Sequence, residues 1–215
     1  MPTPPIGTAS PLRPPAQGRG GHHARRILDA CAELIGEIDY DRLSMTVIAG
    51  RAGLPIGSLY QVFPDTRAIL EAVRLRGVET YLRRLDQALV RTRPTSWWDV
   101  VEAALDESIA LHGRLPALRV IQQHEVGGAY ADDADPSIIG DRLARALVVR
   151  FDVADTPHLR RTLRIAVAAF DRLVILAFRR HPAGDDRLLC AAKRLAREYL
   201  HRHLEHTPRP PAVRR

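Results

Sequence analysis

The sequence has few cysteines, lysines and aromatic residues. Only two of its 215 residues are cysteines. Because Cys31 and Cys190 both stand among apolar positions at helical spacing, we expect small buried side chains, and neither a disulfide nor a metal site. Aromatic residues make up 5% of the chain, which favours helices over a β-sheet. Lys193 is the only lysine, so nearly all the basic residues are arginines.

The chain also lacks a long uninterrupted apolar run. The longest candidate, residues 165–178, is interrupted by Asp171 and Arg172 and is too short to span a bilayer. No apolar segment follows a basic start at the N-terminus, so the sequence predicts no signal peptide. We therefore expect a cytoplasmic protein that has no membrane partner.

Patterns typical of catalysis and metal binding are missing as well. No nucleophile stands beside a base, no glycine-rich phosphate loop occurs and no paired carboxylates are evident. His201 and His203 would lie on opposite sides of a helix, whereas His203 and His206 could share an ion. Because no cysteine or carboxylate stands at ligand spacing from them, we expect no metal, no cofactor and no enzymatic activity.

What the chain does contain is positive charge and enough apolar residues for a core. The net charge is +7, and 46% of the residues are hydrophobic. A basic balance favours an anionic partner such as nucleic acid, although general solubility is an alternative explanation. The basic residues are spread over both halves of the chain, so the charge alone does not locate a binding face.

Helical periodicity runs through almost the whole chain between two tails rich in proline. It predicts an all-α protein, in which an N-terminal three-helix helix-turn-helix domain precedes a second, longer helical domain. The first helix should begin near His23. The predicted segments are a disordered arm at 1–21, the DNA-binding domain at 22–68, the second domain at 69–206 and a flexible tail at 207–215.

The most informative stretch is residues 44–63, which has the start and stop signals of a helix-turn-helix. Ser44 is placed to cap a helix over residues 45–52, and Gly53 suits the left-handed turn that ends it. Pro55 can open a second short helix that reaches about Phe63, where Pro64 stops it. Two short helices joined in this way are typical of proteins that place the second helix in the major groove of DNA.

The order of residues over about 22–75 resembles the TetR family of bacterial transcriptional repressors. The matching positions are Ile48-Ala49, Ala52-Gly53-Leu54, Gly57-Ser58-Leu59-Tyr60 and Phe63-Pro64-Asp65. The family usually has lysine where this chain has Thr66, and often serine or threonine where it has Pro55. Arg67 follows Thr66, and we expect it to take over the phosphate contact.

We expect the apolar positions of the motif to be structural and the remaining ones to face DNA. Gln61 can bond an adenine edge and Ile56 can touch a thymine methyl. Gly57 lets the backbone approach the duplex, and Ser44 and Tyr60 can donate to phosphates. The complete set of predicted DNA contacts is Ser44, Thr46, Pro55, Ile56, Gly57, Ser58, Tyr60, Gln61, Thr66 and Arg67.

The resemblance also implies a homodimer, formed through helices near 157–181 and 185–204, that binds a palindromic double-stranded DNA operator. Each of these helices carries an apolar stripe that can pack either against a second copy or against its own domain. The first stripe comprises Leu159, Leu163, Val167, Phe170, Val174 and Ala177. The second comprises Leu188, Ala192, Leu195, Tyr199 and Leu200.

The resemblance further implies that the middle helices enclose a pocket for a small-molecule effector. The low aromatic content of these helices favours an aliphatic cavity, and polar or aromatic residues within them are the candidate contacts. These candidates are Trp97, Trp98, His112, Gln122, His124, Tyr130 and Phe170. The sequence thus predicts a repressor released by a ligand; the alternatives are a non-specific nucleic-acid-binding protein and an activator of the same fold.

Overall fold

The part of the chain that the structure describes is mostly helical, which confirms the predicted all-α fold. A computed structural model describes residues 19–124 and 134–204, and these form nine α-helices and one 3-10 helix, Tyr40–Arg42, without a strand. The α-helices are α1 (Arg19–Glu37), α2 (Met45–Ala52), α3 (Ile56–Tyr60), α4 (Thr66–Thr92), α5 (Trp97–Arg114), α6 (Pro116–His124), α7 (Ala134–Phe151), α8 (Pro157–Arg180) and α9 (Asp186–Leu204).

The chain divides into two compact units, and the division falls within α4. The first unit ends at Val73 and the second begins at Arg74, a few residues beyond the domain boundary predicted at residue 68. Helix α1 begins at Arg19, so the last three residues of the predicted arm are helical. Residues 1–18 and the tail from 205 lie outside the described residues.

The first unit is built from α1, α2, α3 and the start of α4. Helix α1 packs against α2 and α3, and α2 packs against α3. Fully buried aliphatic side chains fill the space between them, among them Ile27, Ile48, Leu59 and Ile69. Cys31 is buried in this core as predicted, whereas Cys190 is exposed on α9, which corrects the expectation that both thiols are buried.

In the second unit, α8 packs against α7 and α9, and α5 contacts α6, α7, α8 and α9. Four of the predicted stripe residues are completely buried in this unit's own core, Leu159, Leu163, Val174 and Ala177, and Phe170 is almost so. The predicted stripe of α8 is therefore an internal face. No helix among the described residues is both long enough and apolar enough to cross a membrane.

A different set of apolar side chains lies on the outer surface of α8 and α9. Ile165 and Leu176 of α8 are exposed, and so is Ala169 between them. Leu195 of α9 is 54% exposed, although it belongs to the stripe predicted from the sequence. Spacings of four and seven residues place Ile165, Ala169 and Leu176 on one side of α8. We call these three residues and Leu195 the outer stripe.

Helix α5 begins with a capping box formed by Ser96 and Asp99. The Asp99 amide donates to the Ser96 hydroxyl at 3.2 Å, and the amides of Thr95 and Ser96 donate to the Asp99 carboxylate at 2.8 and 2.9 Å. Hydrogen bonds to the Ser96 side chain and to these two amides lower the pKa of Asp99 to about 2. The ionised carboxylate thus stabilises the first turn of α5.

This cap predicts a defined loss of stability in acid. The pKa of Asp99 in the unfolded chain is about 3.9, so its stabilising effect is complete above about pH 4 and disappears as the pH falls towards 2. Asp99→Asn should reduce the pH dependence of the free energy of unfolding in this window, measured by urea denaturation. Thr95→Ala, which removes one donor, should have a smaller effect. Identical pH profiles for Asp99→Asn and the unchanged chain would contradict this role.

Candidate functional site

The turn between α2 and α3 follows the local signals read from the sequence. Ser44 caps α2 by accepting a hydrogen bond from the Val47 amide at 3.4 Å. Gly53 ends α2 with a φ of 60°, and the Leu54 amide donates back to the Ala49 carbonyl at 3.1 Å. This left-handed cap reverses the chain within two residues, so that α3 begins directly after Pro55.

Arg26 of α1 also supports this turn, a role that the sequence analysis did not assign. Its guanidinium donates to the carbonyls of Ala52 and Gly53 at 2.6 and 3.2 Å. These carbonyls lie at the C-terminal end of α2, where backbone acceptors lack partners within the helix. Nearby, Arg51 of α2 pairs with Glu37 of α1 at 3.0 Å. Two arginines thus join α1 to the end of α2.

Helix α3 has one buried and one exposed side. Leu59 is fully buried, whereas Ile56 is 43% and Tyr60 56% exposed. Gly57 and Gln61 are also exposed, and Ser58 is half-buried. The helix ends at Tyr60, three residues before the predicted end, although the Phe63 amide still donates to the Leu59 carbonyl at 2.8 Å. The exposed side carries apolar and neutral polar groups and no carboxylate.

The other predicted contacts lie in the same unit around α3. Thr46 and Pro55 are exposed, while Ser44 and Thr66 are half-buried. Arg67 is exposed in the first turn of α4. Asp65 caps this helix, because its carboxylate accepts a hydrogen bond from the Ala68 amide at 2.7 Å. Val47, which is 38% exposed beside Thr46, is a further candidate that the sequence analysis missed.

The second unit encloses a cavity of about 60 Å³. This volume is small beside the roughly 300–1,000 Å³ of pockets for drug-sized ligands. Apolar side chains from α4, α5, α7 and α8 form most of its wall, including Val78, Leu105, Leu111, Ile139, Leu143 and Val167. Leu118 of α6 also lines it, and lies against Gly77 of α4 so closely that a Cβ atom there would meet its side chain.

One part of the cavity wall is polar. His112 is 4% exposed, and its Nδ1 lies 2.9 Å from the Ser108 carbonyl while its Nε2 lies 3.5 Å from an Asp171 carboxylate oxygen. Arg74, which is 7% exposed, lines the same cavity. The Tyr81 hydroxyl donates to the Ala104 carbonyl at 3.1 Å, and burial together with the Asp171 carboxylate raises its pKa, so the phenol stays neutral.

The predicted ligand contacts divide into three groups. His112 and Phe170 line the cavity. Trp97 and Trp98 are absent from its described lining: their rings meet edge to face at 5.9 Å, and the Arg197 guanidinium lies 5.3 Å from the Trp98 ring. Both pack partly buried against the hydrophobic core. The side chains of Gln122, His124 and Tyr130 lie outside the described residues.

Asp171 and Arg74 were not predicted as lining residues. In the sequence, Asp171 is visible only as an interruption of the longest apolar run, and such an interruption is a signal for a polar residue with a functional role. Within residues 19–124 and 134–204, no three His, Cys, Asp or Glu side chains come together as a metal-binding group. The cavity therefore offers hydrogen bonds and charge within a mostly apolar wall.

Comparison with known proteins identifies both units. Residues 27–73 match the family model described as bacterial regulatory proteins of the tetR family. Residues 95–204, about half of the chain, match the model described as the tetracyclin repressor-like C-terminal domain. A search of the curated proteins finds no match.

Several solved structures share this fold. A TetR-family transcriptional regulator from Streptomyces coelicolor is 34% identical, covers 85% of this chain and 99% of its own, and superposes with a TM-score of 0.72. A TetR transcriptional regulator from Rhodococcus sp. RHA1 is 22% identical over 83% of this chain and 95% of its own, with a TM-score of 0.61. RolR, solved in complex with resorcinol, is 20% identical over 90% and 97%, with a TM-score of 0.59.

The fold and the helix-turn-helix define a DNA-binding transcriptional regulator. The chain belongs to the TetR family, since one family model covers half of it and a regulator of that family is 34% identical over most of its length.

The open space around Gly57 predicts a substitution that separates DNA binding from stability. A Cβ atom at Gly57 would meet nothing within 4 Å, and the same holds for Gly36 on α1. Both Gly→Ala changes should therefore leave the chain folded and raise the free energy of unfolding by up to about 1 kcal/mol. Only Gly57→Ala should weaken binding to duplex DNA in fluorescence anisotropy, because we expect the backbone to approach the duplex at this position. Equal affinities for the two variants would refute this placement.

Proposed function

We propose that the chain is a homodimeric repressor that binds a palindromic operator and leaves it when a small molecule occupies the cavity of the second unit. The proposal that the chain binds DNA rests on α3, which has one buried side and one exposed side. Leu59 holds this helix on the core, while Ile56, Tyr60 and Gln61 extend into solvent. A helix anchored in this way can enter the major groove while it stays packed against the core of its unit.

The chemistry of the exposed groups suits both base and phosphate contacts. The Gln61 amide can form two hydrogen bonds with an adenine edge, and the Ile56 side chain can contact the methyl group of thymine. The Tyr60 hydroxyl and the Arg67 guanidinium can bind phosphates, which sets the register of the helix and carries no sequence information. The same unit therefore offers groups for specificity and groups for affinity.

The decisive test is the ratio of affinities for an operator and for unrelated DNA. With a duplex selected from a random pool, the chain should bind at least about 10³-fold more tightly than to a scrambled duplex at the same salt concentration. Gln61→Ala should lower discrimination at one base position by about 1–3 kcal/mol. Tyr60→Phe, the matched variant, should weaken both duplexes alike. A ratio near one would favour the non-specific nucleic-acid-binding protein instead.

The sign of regulation requires a separate experiment. With the selected duplex placed over a promoter, the chain should lower expression of a reporter gene. Increased expression would identify an activator and contradict the repressor part of the proposal.

The outer stripe supports association through α8 and α9. It places four apolar side chains in solvent on the two last helices, Ile165, Ala169, Leu176 and Leu195. A two-fold symmetric pairing of these helices would bury the stripe of each copy against the same stripe of the other. A palindromic operator requires such symmetry, because the two recognition helices must lie about 34–36 Å apart or a multiple of this distance.

The dimer part of the proposal predicts the effect of a charge in the stripe. Leu195→Glu should convert the dimer into a monomer, because the carboxylate would be desolvated without a partner in the interface. Val90, which is 72% exposed on α4, provides the matched position outside the stripe. In sedimentation equilibrium, Val90→Glu should remain dimeric and Leu195→Glu should not. Dimers of equal stability for both variants would exclude the stripe as the interface.

Helix α4 supplies a physical route from ligand to DNA. It carries Arg67 in the first unit and then four cavity residues in the second, Arg74, Gly77, Val78 and Tyr81. A ligand larger than the present cavity has to displace its walls, and Leu118 is held against α4 at Gly77. Such a movement can change the spacing of two recognition helices.

The energetic requirement for release is modest. A difference in affinity of about 5.5 kcal/mol between the two conformations shifts a two-state equilibrium from 99:1 to 1:99. RolR, solved with resorcinol, supports the idea that this fold can hold a small molecule.

A further inference from the structure

Arg26 of α1 contacts the turn that directly precedes α3. We infer that Arg26 is a positioning residue for sequence recognition, because it holds the carbonyl groups at the end of α2 and thereby fixes the direction in which α3 enters the major groove. The inference rests on the proposed binding of an operator through α3. It adds a residue outside the helix-turn-helix that determines specificity without touching a base.

The first step concerns how α3 is held on its unit. Leu59 is the buried residue among the five of this helix, while Leu54 and Phe63 on either side of it are half-buried. Pro55, the N-cap residue, makes no side-chain hydrogen bond to the first turn. One fully buried side chain anchors so short a helix but constrains its tilt only weakly. The direction of α3 therefore depends strongly on the turn before it.

The second step concerns the contacts at this turn. One guanidinium nitrogen of Arg26, Nη2, donates to the Ala52 carbonyl at 2.6 Å and to the Gly53 carbonyl at 3.2 Å. The first carbonyl belongs to the last residue of α2, and the second belongs to the residue in the left-handed conformation. Hydrogen bonds from a charged donor are about twice as strong as those between neutral groups. Arg26 thus fixes the orientation of two successive peptide groups relative to α1.

The third step concerns the distance between the turn and the proposed base contacts. At a rise of about 1.5 Å per residue, Gln61 lies about 9 Å beyond Pro55 along the axis of α3. A rotation of about 10° at the turn displaces Gln61 by about 1.5 Å, which is more than a hydrogen bond to a base edge tolerates. A small change at the turn is therefore enough to impair base recognition while the helix stays folded.

Two matched variants test this inference on the full chain. Arg26→Met removes the donors and keeps a long, unbranched side chain that suits a helix. Arg25→Met makes the same change at the neighbouring exposed arginine of α1. In fluorescence anisotropy at one salt concentration, the ratio of affinities for the selected and the scrambled duplex should fall about tenfold in Arg26→Met and stay unchanged in Arg25→Met. Arg26→Lys, which keeps a charged donor, should retain most of the ratio.

Several results would overturn the inference. An unchanged ratio in Arg26→Met, together with a lower free energy of unfolding in urea, would make Arg26 a purely structural residue. An equal loss of affinity for both duplexes, with a weaker salt dependence, would place Arg26 on a phosphate. Arg26→Gln replaces Arg26→Met if the latter does not fold. Failure of both variants to fold would make Arg26 a requirement of the fold.

A double-mutant cycle shows whether Arg26 acts through α3. Discrimination at the base position that depends on Gln61 should fall in Arg26→Met, and this fall should disappear when Gln61→Ala is also present. Arg26 would then influence that base through the position of Gln61. Additive effects of the two substitutions would contradict the inference.

A measurement without DNA distinguishes this inference from the proposed function. The Ser58 and Gln61 amides donate to backbone carbonyls at 2.9 and 3.2 Å. Their hydrogen exchange should be about tenfold faster in Arg26→Met than in Arg25→Met, because α3 is held less firmly. If exchange accelerates but the unchanged chain does not discriminate between duplexes, the positioning role stands and sequence-specific binding fails. If the unchanged chain discriminates but neither exchange nor the ratio changes in Arg26→Met, the proposed function stands and the positioning role is wrong.

Discussion

The left-handed turn at Gly53 is the constraint on which the DNA-binding unit depends. It ends α2, returns the chain through two backbone hydrogen bonds and lets Pro55 begin α3 immediately afterwards. Arg26 binds the carbonyls at this turn from α1. Because the turn fixes the direction of α3, it also decides that Leu59 faces the core and that Ile56 and Tyr60 face solvent. A side chain at Gly53 would be strained and would crowd Arg26.

A different constraint applies to the second unit, namely the free-energy cost of burying polar groups beside apolar side chains. Arg74 and His112 are almost fully buried, and together with the half-buried Asp171 they line the cavity. Buried charges destabilise a fold unless partners or ligands satisfy them. Arg74 lies on α4, and this helix begins in the DNA-binding unit. One continuous helix therefore connects the proposed effector site with the unit that contains the recognition helix.

Local signals explain which features could be predicted from the sequence. Ser44 and Gly53 act within one helical turn, so the helix-turn-helix could be placed from spacing alone. Spacing alone could not predict which face of α8 is buried, because this helix has apolar residues on two sides. Only tertiary packing decides that Leu163 is buried and Ile165 is exposed. The polar wall of the cavity was missed for a similar reason, since charges distant in sequence become neighbours only after folding.

The central claim is that two copies of α3 bind the major groove at symmetric positions, a whole number of helical turns apart. Hydroxyl-radical footprinting on the selected duplex tests it most directly. The account predicts two symmetric protected tracts whose centres lie about one helical turn, 10–10.5 base pairs, or a multiple of it apart. A single protected tract, or diffuse protection along the whole duplex, would contradict a symmetric pair of recognition helices.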